Sequence, residues 1–535
     1  MMMGNVMLSW SNLPFLSPVL LIILASVIFI LLYLYKTSSL MNKKTLTWLL
    51  LVTAAFFFIA AGLLWLKNRP PRVKFRLLLL PVQCDAPAMS SCWLGTALLE
   101  QMAEDLQKSV TPEAIIVPPS WLAPILKPDS VTTTDYIHRI IQQFRGDNYL
   151  ASSLIFRNGS PWFRYMLIDV ADPTDGIADS VALSPQKIPE LVRQISSRIL
   201  SHFGAKPGKS PERMILVSPA AYQAYLTAET YLQQEQYLQA IAQAQRALAM
   251  DSTLSPAYCL IGQSYFLQAL AERRRGVNPE ESFENARRWL TLAIDQDSAS
   301  AEAYQFLGEY AIYRERWSVA EEMLDRAYRL NPNDPRLYLT VSRLHASRYP
   351  KFGFQDEEEL YRHAIFLNPG YGDAYLMLSD HFLFKNNRQL AIQVLEEYLK
   401  INPNSVPALM ALGKIYLVRN EILKIIEVFN RVLQLDPNNA DAFYNLGILY
   451  YNSKDFDTAE KFFARAIAIN NHPNAHLYLA YLQEARGNYE LAIAHLRQRI
   501  RLRQGEDDAF AEEARKHLYQ LMHRDSTRLQ KESQH

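Results

Sequence analysis

Pro369, Pro403 and Pro437 stand 34 residues apart, and this period restricts what the chain can fold into more than any other feature. A second ruler runs inside it. A small residue is followed twelve positions later by another, then seven later by a third, then five later by a proline, as in Gly308, Ala320, Ala327 and Pro332. Gly447, Ala459 and Ala466 keep the same spacing, with Asn471 in the proline slot and Pro473 close behind; Gly413 and Tyr416 fall in register. Small residues facing each other let two antiparallel helices approach closely, and a proline ends the second helix before the next begins. One such pair cannot bury its own apolar face, so pairs must stack into a superhelix.

These residues resemble the tetratricopeptide repeat (TPR), an all-α solenoid of helical pairs. Eight repeats are read over residues 221–505, starting near Ala221, Ser255, Ala301, Pro335, Gly372, Val406, Ala440 and Pro473. The second is stretched, because Gly262 and Ala286 lie 24 apart, and the extra residues around AERRRGVNPEES are expected as a protruding turn. The fourth carries three extra residues near RYPKFGFQ. Residues 206–220 read as a linker, and 506–535 as a polar capping helix and tail.

The resemblance implies a concave groove lined by positions 2, 5, 9, 12 and 13 of each repeat. Those positions supply Tyr225, Phe266, Tyr313, Phe384, Tyr444 and Tyr451, with Leu376, Leu383, Met410 and Leu417 between them. Chaperone-binding relatives clamp a terminal carboxylate with Lys and Asn, whereas position 5 here reads Leu376, Met410 and Tyr444. The expected partner is therefore an amphipathic helix or an extended apolar protein segment. The competing reading is that about half of these side chains pack between neighbouring repeats.

Ahead of the array, residues 72–205 read as a small α/β domain. Phe75 to Gln83 is an apolar run suited to a buried strand, and Leu94, Leu98, Leu99, Met102 and Leu106 mark a helix face. Two strands flank Asn158-Gly159, a hairpin turn signal. The predicted order is β-α-β-α-β-β-β-α. The segments LLLLPVQ, GTALLEQMAEDL and GDNYLASSLIFRNG–PWFRYMLIDVADPTDG look like the TolB amino-terminal-like domain. The order of parts resembles the sensory half of ToxR/CadC-type membrane regulators. Their DNA-binding winged helix has no counterpart, because only Met1 to Ser17 precede the first apolar stretch.

Residues 1–71 read as an amino tail and a transmembrane hairpin, because Pro18 to Tyr35 and Thr45 to Leu66 contain no charged residue. The lysine-free tail and Lys36, Lys43 and Lys44 of the loop favour a body outside the cytoplasm; Lys67, Arg69, Arg72, Lys74 and Arg76 favour the reverse. A strand-to-helix loop brings Cys84 and Cys92 near each other, so they read either as a bridge or as two unrelated small residues. A bridge implies an oxidising compartment. With the regulator resemblance, the expectation is a bacterial inner-membrane protein whose body is periplasmic.

Chemistry is sparse. The chain holds no G-x-x-x-x-G-K-[ST], G-x-S-x-G, H-E-x-x-H or C-x-x-C sequence. His472 and His476 are separated by Pro473 and have no evident third ligand. The 55 basic and 54 acidic residues give no pull on nucleic acid. The sequence reads as a membrane-anchored scaffold without catalytic or cofactor sites. The alternative is a signal-input module acting on a separate effector.

Overall fold

The computed structural model describes residues 74–84, 92–110, 114–122, 125, 134–157, 160–174, 176–184, 187–205, 218–503 and 508–532. The two apolar stretches 18–35 and 45–66 lie outside them. Among the described residues no helix is long and apolar enough to cross a membrane. Residues 74–535 form one compact unit.

Its first part is a sheet with helices on it. Strands β1 (Phe75–Leu79), β2 (Gln83–Cys84), β3 (Ala114–Val117), β4 (Asn148–Arg157), β5 (Ser160–Asp169) and β6 (Gly176–Ala182) form one sheet. Its order is β3-β1-β4-β5-β6, with β2 also on β4. β1 runs parallel to β3 and β4, while β4, β5 and β6 are antiparallel neighbours. Helices α1 (Cys92–Val110), α2 (Pro119–Leu122), α3 (Thr134–Gln143) and α4 (Ile188–His202) complete it. Side chains alternate along β1. Leu77 and Leu79 point into the core with Leu98 and Met102 of α1 and Val192 and Ile195 of α4. Arg76 and Leu78 are buried too, on the side of α3 and Phe144.

The apolar run expected as one strand through Gln83 is interrupted after Leu79, Pro81 falling in the gap before β2. Cys84 and Cys92 are joined as a disulfide, their Cα atoms 6.0 Å apart.

The rest is helical. Eight pairs follow: α5 (Pro219–Gln233) with α6 (Tyr237–Met250), α7 (Ser255–Arg274) with α8 (Glu280–Gln296), α9 (Ala301–Tyr313) with α10 (Trp317–Leu330), and α11 (Pro335–Val341) with α12 (Glu357–Leu367). Then come α13 (Gly372–Phe384) with α14 (Arg388–Ile401), α15 (Val406–Arg419) with α16 (Ile422–Leu435), α17 (Ala440–Asn452) with α18 (Phe456–Asn470), and α19 (Pro473–Ala485) with α20 (Tyr489–Arg501). Helix α21 (Ala509–Glu532) ends the array. The small positions work by contact distance: a Cβ on Gly447 would come within 2.5 Å of the Phe463 ring. The turn inside each pair has its own ruler, since Asn386, Asn420 and Lys454 all take a left-handed backbone and stand 34 apart.

The two irregular repeats differ from the sequence reading. In the second, the extra residues lengthen the helices and leave only residues 275–279 as the connection. Ala, Glu and Arg are strong helix formers, and Gly276, with φ +72°, marks the stop. In the fourth, α11 ends at Val341 and a 3-10 turn, Ala346–Phe352, buries Tyr349 and Phe352 in its place.

Candidate functional site

The first helix of each pair carries the groove positions. The ten side chains named from sequence fare differently. Phe266 is fully buried, edge-on to Phe283 with ring centroids 5.8 Å apart, and belongs to the core. Met410 is also buried, within the apolar cluster of repeats five to seven. These two are corrected from groove to packing residues, because each helix also faces its neighbour in the stack. Phe384 errs the other way. It ends α13 and is 93 % exposed, at the turn edge of the array and without walls around it.

Seven remain half-buried, Leu383 and Leu417 among them. Tyr225 donates its hydroxyl to Glu229 Oε1 at 2.6 Å. Tyr313 lies against Phe283 at 4.2 Å, with the Arg273 guanidinium 4.9 Å from its ring centre. Leu376 packs against the cluster that holds Met410. Tyr444 stacks on His472 at 4.4 Å and meets Phe463 and Tyr478; Tyr451 meets Phe456 and Tyr478.

Charged residues on the same helices were missed. The ruler that selected the aromatics also selects them, at positions 2 and 9: Glu302, Glu309, Arg336, Arg343, Asp373, Asp380, Lys414 and Asp441. Arg336 Nη1 is 2.8 Å from Glu302 Oε1 in the preceding repeat. Thr340 donates to Glu309 Oε1 at 2.8 Å and receives Gln305 Nε2 at 3.2 Å. His472 Nε2 is 3.0 Å from Asp441 Oδ1. Burial raises the Asp373 and Asp380 carboxyls above the usual carboxylate range, the second partly offset by Lys414.

The α/β part touches the array from the first repeat to the end of the fifth. Trp93 lies 6.4 Å from Tyr222, at position 2 of the first repeat, and the Gln101 side chain bonds the Tyr222 hydroxyl. Asn333 Nδ2 donates to the Ala114 carbonyl at 3.3 Å, and Gln143 Nε2 to the Lys400 carbonyl at 3.2 Å. Arg76 is the central strut. Its Nη1 reaches the Phe144 carbonyl at 2.7 Å, its Nη2 the Phe366 carbonyl at 2.6 Å, and its guanidinium covers the Phe366 ring at 5.3 Å. Burial holds its pKa down, at about 10.

At the Tyr222 contact two carboxyls meet without a cation. Burial pushes both Glu100 and Glu229 up to about 7. Hydrogen bonds from Ser120 pull Glu100 back. The Tyr225 hydroxyl pulls Glu229 back, while Glu302 and Glu100 add repulsion. Among the described residues neither has an ion-pair partner, and no group of His, Cys, Asp and Glu is arranged to hold a metal.

Family models described as TPR or tetratricopeptide repeat match residues 372–405, 426–454 and 441–475. The comparison with curated proteins gave no match. Among solved structures, YrrB, described as a TPR protein with an unusual peptide-binding site, is 21 % identical, with a TM-score of 0.27 over 37 % of this chain and 97 % of its own. MamA is 20 % identical, with a TM-score of 0.26 over 29 % and 92 %. A human IFIT1 dimer is 14 % identical, with a TM-score of 0.40 over 64 % and 79 %. The spacing, the paired helices and the matched models agree, and the chain carries tetratricopeptide repeats.

Proposed function

We propose that the protein is a scaffold that holds a polypeptide segment in the groove of its fifth to seventh repeats. The observation that carries this reading is the open stretch where half-buried Leu376, Leu417, Tyr444, Ile448 and Tyr451 lie on successive first helices. Around them stand the exposed Asp373, Asp380, Lys414 and Asp441. An apolar floor with charged walls suits an amphipathic segment, its apolar side down. A photo-crosslinking residue at Leu417 or Ile448 of the full chain should form a polypeptide adduct. One at Glu427, exposed on the second helix α16, should not. Equal labelling at the three positions, or none at the first two, would sink the proposal.

We read the chain as anchored by residues 18–35 and 45–66, with its body on the outer side of a bacterial inner membrane and the α/β part as a TolB-like domain. The uncharged sequence of both stretches and the bonded Cys84 and Cys92 support this. Alkylation of both cysteines in unreduced cells would overturn the compartment. The signal-input alternative gains from the α/β contact over the first repeats, since a body resting on a groove can regulate access to it.

A further inference from the structure

The turn edge of repeats five and six carries a surface that the repeat fold does not require. Phe384 is 93 % exposed, Leu423 84 %, Val418 69 % and Ile422 44 %. They flank the turns joining α13 to α14 and α15 to α16, which Arg419 Nη1 ties together through Gln389 Oε1 at 3.1 Å. In the next repeat the counterparts of Phe384 and Leu423 are Asn452 and Asp457, so polar residues fit these places. The apolar choice returns nothing in packing.

Cations surround the patch. Arg419 and Lys424 share Glu421, at 2.6 and 2.8 Å. Lys385 and Arg388 are exposed and have no ion pair among the described residues. Lys385, Arg388, Arg419 and Lys424 stand at this edge against Glu421, with Asp380 and Glu427 one turn away on α13 and α16, which leaves a local excess of 4 − 3 = +1.

We propose that this edge inserts shallowly into an anionic lipid surface, Phe384 and Leu423 entering the interface and Lys385 and Arg388 meeting the headgroups. The proposal stands apart from the groove reading and concerns the opposite kind of surface. A partner helix needs walls to lie between, and these side chains stand on the tips of turns. A bilayer needs no groove: apolar tips enter the acyl boundary while long cationic side chains reach back to phosphate. The uncharged stretches 18–35 and 45–66 of the same chain have the composition of the same phase.

The test uses the full chain with an environment-sensitive fluorophore on Phe384→Cys, incorporated into phosphatidylcholine vesicles or vesicles enriched in phosphatidylglycerol. The same label on Met377→Cys is the control, because Met377 is 46 % exposed on α13 with Asp373 and Asp380 one turn to either side. The label at 384 should move to blue, brighter emission in the anionic vesicles only, and high salt should reverse it. Lys385→Gln with Arg388→Gln should lower the edge-binding constant about 30-fold, the loss for two surface cations. No spectral change in either vesicle, the same change at 377 as at 384, or no salt effect would overturn it. So would a shift that appears with an acidic amphipathic peptide and not with lipid.

Discussion

Repeats one to four and repeats five to eight share one ruler, yet they present opposite surfaces to the groove. In the first four, groove positions are tied to one another: Tyr225 to Glu229, Glu302 to Arg336, Glu309 through Thr340 to Gln305. Against Tyr222 and Glu229 leans the chain's own α/β part. In the last four, Leu376, Leu417, Tyr444 and Tyr451 are half-open while Met410 is buried, and Asp373, Asp380 and Asp441 stand exposed, the last beside His472. A repeat therefore specifies a backbone and leaves its groove face free. Where that face is already satisfied by hydrogen bonds and a second body, it has little left to offer a partner.

The comparison breaks most readily at its strut. Arg76→Met removes the donor that Phe144 and Phe366 share at 2.7 and 2.6 Å. One buried and one partly buried carbonyl lose a charged donor, and the docking of the α/β part should weaken by about 3 kcal/mol. Hydrogen exchange should rise across α1 and α5 and stay unchanged across α17 to α20. Uniform protection in the variant would mean that the first half is not held by this contact.

A smaller effect comes from within the second half. Ala459 is fully buried, and Ala459→Leu overpacks the joint between α17 and α18, at a cost of about 2 kcal/mol. Partner and protection of repeats six to eight should be lost together. Tyr444→Ala, in contrast, should weaken partner binding by about tenfold while the melting temperature falls only slightly. If Tyr444→Ala melts the array as Ala459→Leu does, its contacts with His472, Phe463 and Tyr478 are structural, and the two halves differ less than their surfaces suggest.

What was legible in the sequence divides along similar lines. Helical spacing and the small-residue ruler depend on local chemistry, so the helix starts at Ala301, Pro335, Gly372, Val406, Ala440 and Pro473 could be read directly. The groove faces were harder. Position numbers located Tyr444 and Tyr451 at half-buried sites, but the same numbers put Phe266 into the core and Phe384 at an edge. The cause is the stretching of α7 in one case and the last helical position of α13 in the other. The charges at positions 2 and 9 were open to the same reading and were passed over in favour of aromatics. The Arg76, Asn333 and Gln143 contacts join residues 290, 219 and 257 positions apart, and no local pattern announces them.

The smallest effect should be the one that pH exerts on the first half alone. Glu100 and Glu229 both have folded-state values near 7, raised from 4.5 chiefly by burial. A raised carboxyl favours the protonated form, so its contribution to docking is complete below about pH 4.5 and is lost as pH rises through about 7. The groups facing the pair are Ser120 on Glu100, and Tyr225, Glu302 and Glu100 itself on Glu229. The Tyr222 hydroxyl lies near Glu100, Glu104 and Glu229. Arg336 is occupied with Glu302 and Asp334. Lifting the α/β part would remove only the mutual share of this burden, since Tyr225 and Glu302 stay with Glu229 in the array. The docking equilibrium should therefore shift by about 1 kcal/mol between about pH 5.5 and about pH 8, favouring release at the higher value. Exchange at α1 and α5, corrected for intrinsic rates, should rise with pH over this window, while exchange at α17 stays level. Glu100→Gln with Glu229→Gln should hold both segments in their low-pH state throughout. If the double variant keeps the wild-type pH dependence, the titrating group lies elsewhere; if the wild type shows none, the carboxyls share no burden across the contact, and the first half is closed by Arg76 and its carbonyls alone.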